Sequence, residues 1–181
     1  EAEKNGFQTL LTFGGAFSNH IAAVAAAGKA LDFDTIGIIR GEELSPDSNP
    51  TLQFAAKCGM KLYFVGRTAY RDKETLAHFY GKDAFVIPEG GSNRLAVQGV
   101  AEMVEEVKNQ LDGKIDYFCT ALGTGGTAAG IVSAFEEDVL VFPSLKISSE
   151  ETAQLIITHI PQPTGRLKVI EKYHFGGYGK I

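Results

Sequence analysis

The sequence predicts an α/β protein with mostly parallel sheets. Short β-rich apolar runs alternate with longer stretches of helical spacing, the pattern of parallel strands covered by helices. The strand-to-helix junctions after Phe13, Pro88 and Leu122 are rich in glycine, as tight turns and close backbone approaches require. The 181 residues, 44% hydrophobic and 22% charged, suffice for one ordinary domain or two small lobes with a substantial core, and argue against disorder or a coiled coil.

Strands are expected at Thr9–Phe13, Thr35–Ile39, Lys61–Val65, Ala84–Pro88, Ile115–Ala121, Val139–Phe142 and Leu167–Ile170. Each is a short apolar run rich in β-branched or aromatic residues. Helices are expected at about Asn19–Leu31, Thr51–Cys58, Asp72–Tyr80, Leu95–Leu111, Thr127–Phe135 and Glu150–Thr158, from apolar spacing and capping residues. Asn49-Pro50 opens the second of these, because Asn caps and Pro suits the first turn. The polar stretch Asn109–Lys114 reads as the boundary between a smaller lobe, 9–111, and part of a larger one, 112–181 with 1–8. The chain reads as a piece cut at both ends.

The net charge of −5 comes with no basic stripe, which disfavours nucleic acid and anionic membranes as partners. The longest apolar run, Ile21 to Gly28, is too short to cross a bilayer, and Glu1-Ala2-Glu3-Lys4 lacks a signal peptide's basic start. A cytoplasmic protein is expected. Cys58 and Cys119 lie in apolar segments without a partner at metal spacing, so they are expected to be buried free thiols, and no metal site is expected.

The junction with the clearest chemistry is Gly123-Thr124-Gly125-Gly126-Thr127, between a strand and a helix. Glycines let backbone N–H groups converge on an anion at the positive end of a helix, and the Thr hydroxyls add donors. A phosphate suits it, against a plain tight turn as the bland reading. Gly123, Gly125 and Ala128 also fit the spacing of a dinucleotide fingerprint. That motif needs an acid at the end of the next strand, where Phe142, Pro143 and Ser144 stand. A Walker loop is excluded because no Gly-Lys-Ser/Thr follows.

A second anion cradle is Gly14-Gly15-Ala16-Phe17-Ser18-Asn19-His20, which gathers a hydroxyl, an amide and an imidazole at a helix N-terminus suited to a carboxylate. Ser18 or Asn19 as an ordinary helix cap, and His20 as a packed histidine, are the plainer readings. A third motif, Pro88-Glu89-Gly90-Gly91-Ser92-Asn93, is open between a structural loop and a direct contact. Near the end, Gly176-Gly177-Tyr178-Gly179 puts a phenol on a turn where it can face a pocket.

Together and in this order, these motifs resemble the 1-aminocyclopropane-1-carboxylate deaminase and D-cysteine desulfhydrase family, pyridoxal-phosphate enzymes of the two-lobed tryptophan-synthase-β-like fold. The resemblance spans nearly the whole chain. It implies pyridoxal 5'-phosphate held between two lobes, its phosphate at Gly123, Thr124, Gly125, Gly126 and Thr127 and its ring hydroxyl bonded by Asn19. It implies a substrate carboxylate taken by Ser18, Asn19 and His20, with Ser18 and Tyr178 as catalytic residues. A small amino acid, D-cysteine or 1-aminocyclopropane-1-carboxylate-like, would be converted to a 2-oxo acid and ammonia by a homodimer. His20, where ring-opening deaminases usually have Gln, and Gly91-Ser92-Asn93 resemble the desulfhydrases more.

One family feature is absent. The lysine that joins the cofactor should lie shortly before the Ser-Asn-His loop, whereas Lys4 sits in a polar segment and reads as a surface lysine. The alternatives are therefore a catalytically silent pyridoxal-phosphate-binding protein and, on the dinucleotide spacing alone, a nicotinamide-dependent oxidoreductase.

Overall fold

Residues 1–144, 146–160 and 165–173 are described in a computed structural model of the chain. The chain divides into two compact units, the first Glu1–Gly90 and the second starting at Gly91. In the first, strands β1 (Thr9–Gly15), β2 (Asp34–Arg40), β3 (Lys61–Val65) and β4 (Phe85–Val86) form one sheet in the order β3-β2-β1-β4, with every pairing parallel. Helices α1 (Asn19–Ala30), α2 (Pro50–Lys57) and α3 (Lys73–Tyr80) connect them. In the second, α4 (Arg94–Gln110) leads into β5 (Tyr117–Leu122), α5 (Gly126–Ala134), β6 (Asp138–Pro143), α6 (Ser149–Ile157) and β7 (Arg166–Val169), with a parallel sheet in the order β5-β6-β7. Every predicted strand and helix is present. The fourth strand is shorter than expected, although Ile87 N–H still bonds Leu11 C=O at 2.8 Å.

The apolar runs of the central strands are buried on both faces. Leu10 of β1 and Ile39 of β2 join Ile21 of α1 and Leu52 of α2 in one cluster, and Leu11 and Phe13 of β1 with Ile36 and Ile38 of β2 join Tyr70 and Leu76 in another. Strands covered on both faces lose the polar alternation of half-exposed sheets, and β1 and β2 show it in their continuous apolar sequence. Asn49 caps α2 as expected, accepting from Leu52 N–H at 3.0 Å, and the structure adds two further caps: Asp72 accepts from Thr75 N–H at 3.1 Å, and Ser148 forms a reciprocal pair with Glu151.

Two expectations are corrected. The units part ahead of α4, not in the exposed loop 109–114. Val97 and Val104 of α4 pack with Ala128, Ile131 and Val132 of α5, and a Cβ on Gly130 would stand 2.4 Å from Val100 Cβ, so α4 is locked onto the second unit. Residues 1–8 join the first unit, where Ala2 packs on its core and Phe7 meets Phe85 edge-on at 5.6 Å. Both cysteines are free, but Cys58 is half-buried and Cys119 is exposed. β5 is an edge strand whose Tyr117, Cys119 and Ala121 all point to the open face.

Gly99 is exposed on α4, with nothing within 4 Å of where its Cβ would stand. A helical glycine costs roughly 0.5–1 kcal/mol against alanine. Gly99→Ala is expected to raise stability by about that amount, measured by urea denaturation of the full-length protein. A lowered midpoint would contradict the open surface described.

Candidate functional site

In an open parallel sheet, ligands bind beyond the carboxyl ends of the strands where the strand order reverses. In the first unit that point lies between β1 and β4, because the chain runs outward from β1 to β3 and then returns to the other side of β1. The loops leaving these two strands are the second and third glycine motifs. The fold therefore brings Ser18, Asn19 and His20 to the same end of the sheet as Glu89.

β1 ends on Gly14-Gly15, and the chain turns sharply, with Ser18 N–H bonded to Gly15 C=O at 3.2 Å. A Cβ on Gly14 would stand 2.5 Å from Ile21 Cγ1 and 2.8 Å from Ser18 Oγ, so only glycine lets the turn fold back on the strand. Ser18 is the N-cap of α1 and accepts from Ile21 N–H at 3.3 Å. The capping reading is thus correct for Ser18, and it leaves the hydroxyl proton free to donate. Asn19, the first residue of the helix, is exposed. His20 turns inward, its Nε2 at 2.7 Å from Thr12 Oγ1, and Thr12 is itself bonded to Ile87 C=O at 2.9 Å.

Glu89 is the centre of a charged cluster that the sequence did not reveal. Its carboxylate accepts from Tyr70 Oη at 2.9 Å and from Lys73 Nζ at 3.2 Å, while Lys73 lies 4.5 Å from the Tyr70 ring and Arg40 lies 5.6 Å from it. Burial, then the hydrogen bond to Glu89, raises the Tyr70 phenol far above its ordinary range, so Tyr70 is a neutral donor at any physiological pH. Burial holds His20 below its ordinary value of 6.5, partly opposed by the charge on Glu89. The sequence signal for this cluster is faint, since its members come from separate elements.

In the second unit, β5 runs into Gly123 and Thr124, Gly125 takes a left-handed φ of 93°, and α5 begins at Gly126. The first backbone bond of the helix, from Ala129 N–H to Gly125 C=O, is 2.9 Å long. Among the described residues no side chain caps the N–H groups of Gly126, Thr127 and Ala128 ahead of it, and such groups favour an anion. A Cβ on Gly125 would meet Leu155 C=O at 3.1 Å, and one on Gly126 would meet Ser92 Oγ at 2.8 Å. The turn is built for bare backbone, with the hydroxyl-bearing Thr124 and Thr127 exposed beside it. This donor set fits a phosphate monoester.

The turn is braced from two sides. Ser92 Oγ and Thr124 Oγ1 hydrogen-bond to each other, and His159 Nε2 lies 3.2 Å from Thr124 C=O. The third motif is therefore divided: Glu89 belongs to the cluster of the first unit, Ser92 supports the turn of the second, and Asn93 caps α4 by accepting from Ala96 N–H at 2.9 Å. Gly90 and Gly91, both at positive φ, make the bend that separates them. Ser92 was legible in its glycine motif; His159, in the segment after α6, carried no signal. β6 ends on Phe142-Pro143, so no acid stands where a dinucleotide ribose would need one. Tyr178 lies outside the described residues. Among those described, no group of His, Cys, Asp and Glu is arranged to hold a metal ion, and no helix is long and apolar enough to cross a membrane.

Residues 1–167 match the family described as pyridoxal-phosphate dependent enzyme. The chain is 33% identical over 149 residues to the bifunctional D-cysteine desulfhydrase/1-aminocyclopropane-1-carboxylate deaminase, mitochondrial, of Arabidopsis thaliana, with 72% of this chain and 37% of that protein covered. It is 30% identical to a protein of Pyrococcus abyssi named for 1-aminocyclopropane-1-carboxylate deaminase, with 100% of this chain and 61% of that one covered. It thus spans less than two thirds of these relatives' length. Among solved structures, an ACC deaminase homologue superposes with a TM-score of 0.75 at 24% identity, covering 99% of this chain and 60% of that one. The serine racemase of Dictyostelium discoideum gives 0.62 at 16% identity, covering 78% and 45%. These last two likenesses establish the fold, the α/β class with parallel sheets that the resemblance implied. With a glycine turn that fits a phosphate, a β6 that ends without an acid and a family match across most of its length, the chain belongs to the pyridoxal-phosphate-dependent enzymes and is similar within them to the 1-aminocyclopropane-1-carboxylate deaminases and D-cysteine desulfhydrases.

Proposed function

We propose that this protein is a deaminase or desulfhydrase that converts a small amino acid, D-cysteine or a 1-aminocyclopropane-1-carboxylate-like compound, to a 2-oxo acid and ammonia. The observation that carries the reading is the uncapped start of α5 behind a glycine turn in a chain that also holds a second anion cradle at Ser18-Asn19-His20. Gly123, Thr124, Gly125, Gly126 and Thr127 hold the phosphate of the cofactor through backbone N–H groups and hydroxyls. Asn19 would hydrogen-bond its ring hydroxyl, the role the resemblance implies for it. The N-terminus of α1, with Ser18 and Asn19, takes the substrate carboxylate, and Tyr178 keeps the catalytic role that the resemblance implies. When bound, pyridoxal phosphate supplies the electron sink for breaking bonds at the substrate's α-carbon. Ser18 can donate its free proton to the substrate while still capping α1. Lys4 is exposed in a short helical turn, which is unsuited to a nucleophilic amine that must be desolvated.

In the full-length protein, Thr127→Ala is expected to weaken pyridoxal-phosphate binding by about 1–3 kcal/mol, whereas Ser18→Ala should leave that affinity within about twofold, a few tenths of a kcal/mol, and lower turnover. Both are read by cofactor titration and by 2-oxo acid release from D-cysteine and from 1-aminocyclopropane-1-carboxylate. Unchanged affinity in Thr127→Ala would take the phosphate away from this turn. Wild-type protein that releases no 2-oxo acid from either amino acid would sink the assigned reaction.

A further inference from the structure

Thr12 is completely buried on β1, and its hydroxyl has two neighbours. One is Ile87 C=O at 2.9 Å, the other His20 Nε2 at 2.7 Å. A carbonyl oxygen can only accept, and a hydroxyl has only one proton to give. That proton goes to Ile87. Thr12 Oγ1 therefore meets His20 with a lone pair, and the short contact to Nε2 is satisfied only if Nε2 carries hydrogen. In neutral imidazole the other ring nitrogen must then be bare. Nδ1 of His20 makes no hydrogen bond among the described residues.

We propose that Thr12 is a positioning residue that locks His20 in the Nε2–H tautomer, so that Nδ1 serves as the base for the substrate's α-ammonium rather than as a donor to its carboxylate. This rests on the reading of the Ser18-Asn19-His20 loop as the substrate site. An amino acid arrives with a protonated amine, and that amine must lose its proton before it can attack an electrophile. In this step one N–H bond of the ammonium breaks, its electron pair stays on the substrate nitrogen, and the proton forms a bond to Nδ1. The product is a free amine beside an imidazolium still bonded through Nε2–H to Thr12.

The surroundings suit that exchange. Burial favours neutral His20 before the transfer, and the nearby carboxylate of Glu89 stabilises the cation after it. Glu89 is in turn held by the Tyr70 hydroxyl and Lys73 Nζ, with Arg40 over the Tyr70 ring, so its charge is shared but not removed. The role leaves the carboxylate to Ser18, Asn19 and the N-terminus of α1, and reassigns His20 from the carboxylate set in which the motif alone placed it.

The tautomer can be read directly in the full-length protein labelled with 15N-histidine, from long-range proton–nitrogen correlations, with the His20 signal assigned by its loss in His20→Gln. Wild type should show Nε2–H at neutral pH. Thr12→Val should give a mixture of tautomers and lower kcat/KM for the amino acid at least tenfold with pyridoxal-phosphate affinity unchanged, and Thr12→Ser should restore both. A wild-type Nδ1–H tautomer, or an unchanged tautomer in Thr12→Val, overturns the proposal. Should Thr12→Val fail to fold, the wild-type tautomer and its retention in Thr12→Ser still decide. Because the tautomer is measured without substrate, a locked Nε2–H in a protein whose wild-type form turns over neither amino acid overturns the substrate-site reading and the base role together, while the hydroxyl's hold on the ring stands.

Discussion

Gly126→Ala is expected to weaken pyridoxal-phosphate binding at least tenfold while leaving the helix content of the protein intact. The added Cβ would stand 2.8 Å from Ser92 Oγ and 3.2 Å from Ser92 Cα and Cβ. A flexible side-chain tip could yield, but the backbone of Ser92 cannot easily do so. It sits between Gly91 at a φ of 69° and Asn93, whose side chain caps α4. Relief must come from the turn itself, which loses the Ser92–Thr124 hydrogen bond and moves the first N–H groups of α5 away from their common focus. Overpacking of this kind costs roughly 1–3 kcal/mol, and a tenfold loss of affinity corresponds to about 1.4 kcal/mol. Cofactor titration with far-UV circular dichroism checks both halves of the expectation. Alanine tolerated with full affinity would mean that Ser92 and the turn are not pressed together as described.

The elements of the fold were legible because they depend on local pattern. Short, mostly apolar runs such as Leu10–Phe13 and Ile36–Ile39, bounded by turn residues, suit strands covered on both faces, and Asn49-Pro50 marks a helix start through a hydrogen bond made within a few residues. The glycine turn between β5 and α5 was legible for the same reason, since its glycines and threonines are consecutive. What escaped was decided at long range. The apolar stripe of α4 shows that the helix packs on something, but only Gly130 facing Val100 shows which sheet it joins. Cys119 sits in an apolar run, yet it is exposed because, among the described residues, β5 is an edge strand with that face uncovered. Glu89 looked like part of a loop, because Tyr70 and Lys73 reach it from separate elements. The state of His20 hangs on a carbonyl 75 positions along the chain from the hydroxyl that binds it.

The largest loss of stability is expected from Phe13→Ala. Phe13 is 2% exposed and lies in the cluster formed by Leu11, Ile36, Ile38, Val65, Tyr70, Leu76 and Ala84, so the surrounding side chains come from β1, β2, β3 and α3 and cannot collapse together into the space. Removing a buried aromatic ring costs about 3–5 kcal/mol, a large share of the roughly 5–15 kcal/mol that holds a domain folded. The ring also meets Tyr70 edge-on at 6.3 Å and lies 5.9 Å from Lys73 Nζ. Tyr70 and Lys73 are the two groups that hold Glu89. Without the ring, both lose the wall they lean on, and Glu89 loses the placement from which it supports a cation at His20. Phe13→Ala should therefore lower the unfolding free energy of the full-length protein by about 3–5 kcal/mol, read as a lower denaturation midpoint, and also depress turnover under conditions where the variant is still folded. Phe13→Leu, which keeps most of the volume, should recover most of the stability, its cost falling near or below about 1.5 kcal/mol. Because leucine has no ring for Tyr70 and Lys73, it should recover less of the turnover. A Leu variant that restores stability and turnover equally would show that packing alone carries the effect and that the aromatic contact contributes nothing to the placement of Glu89.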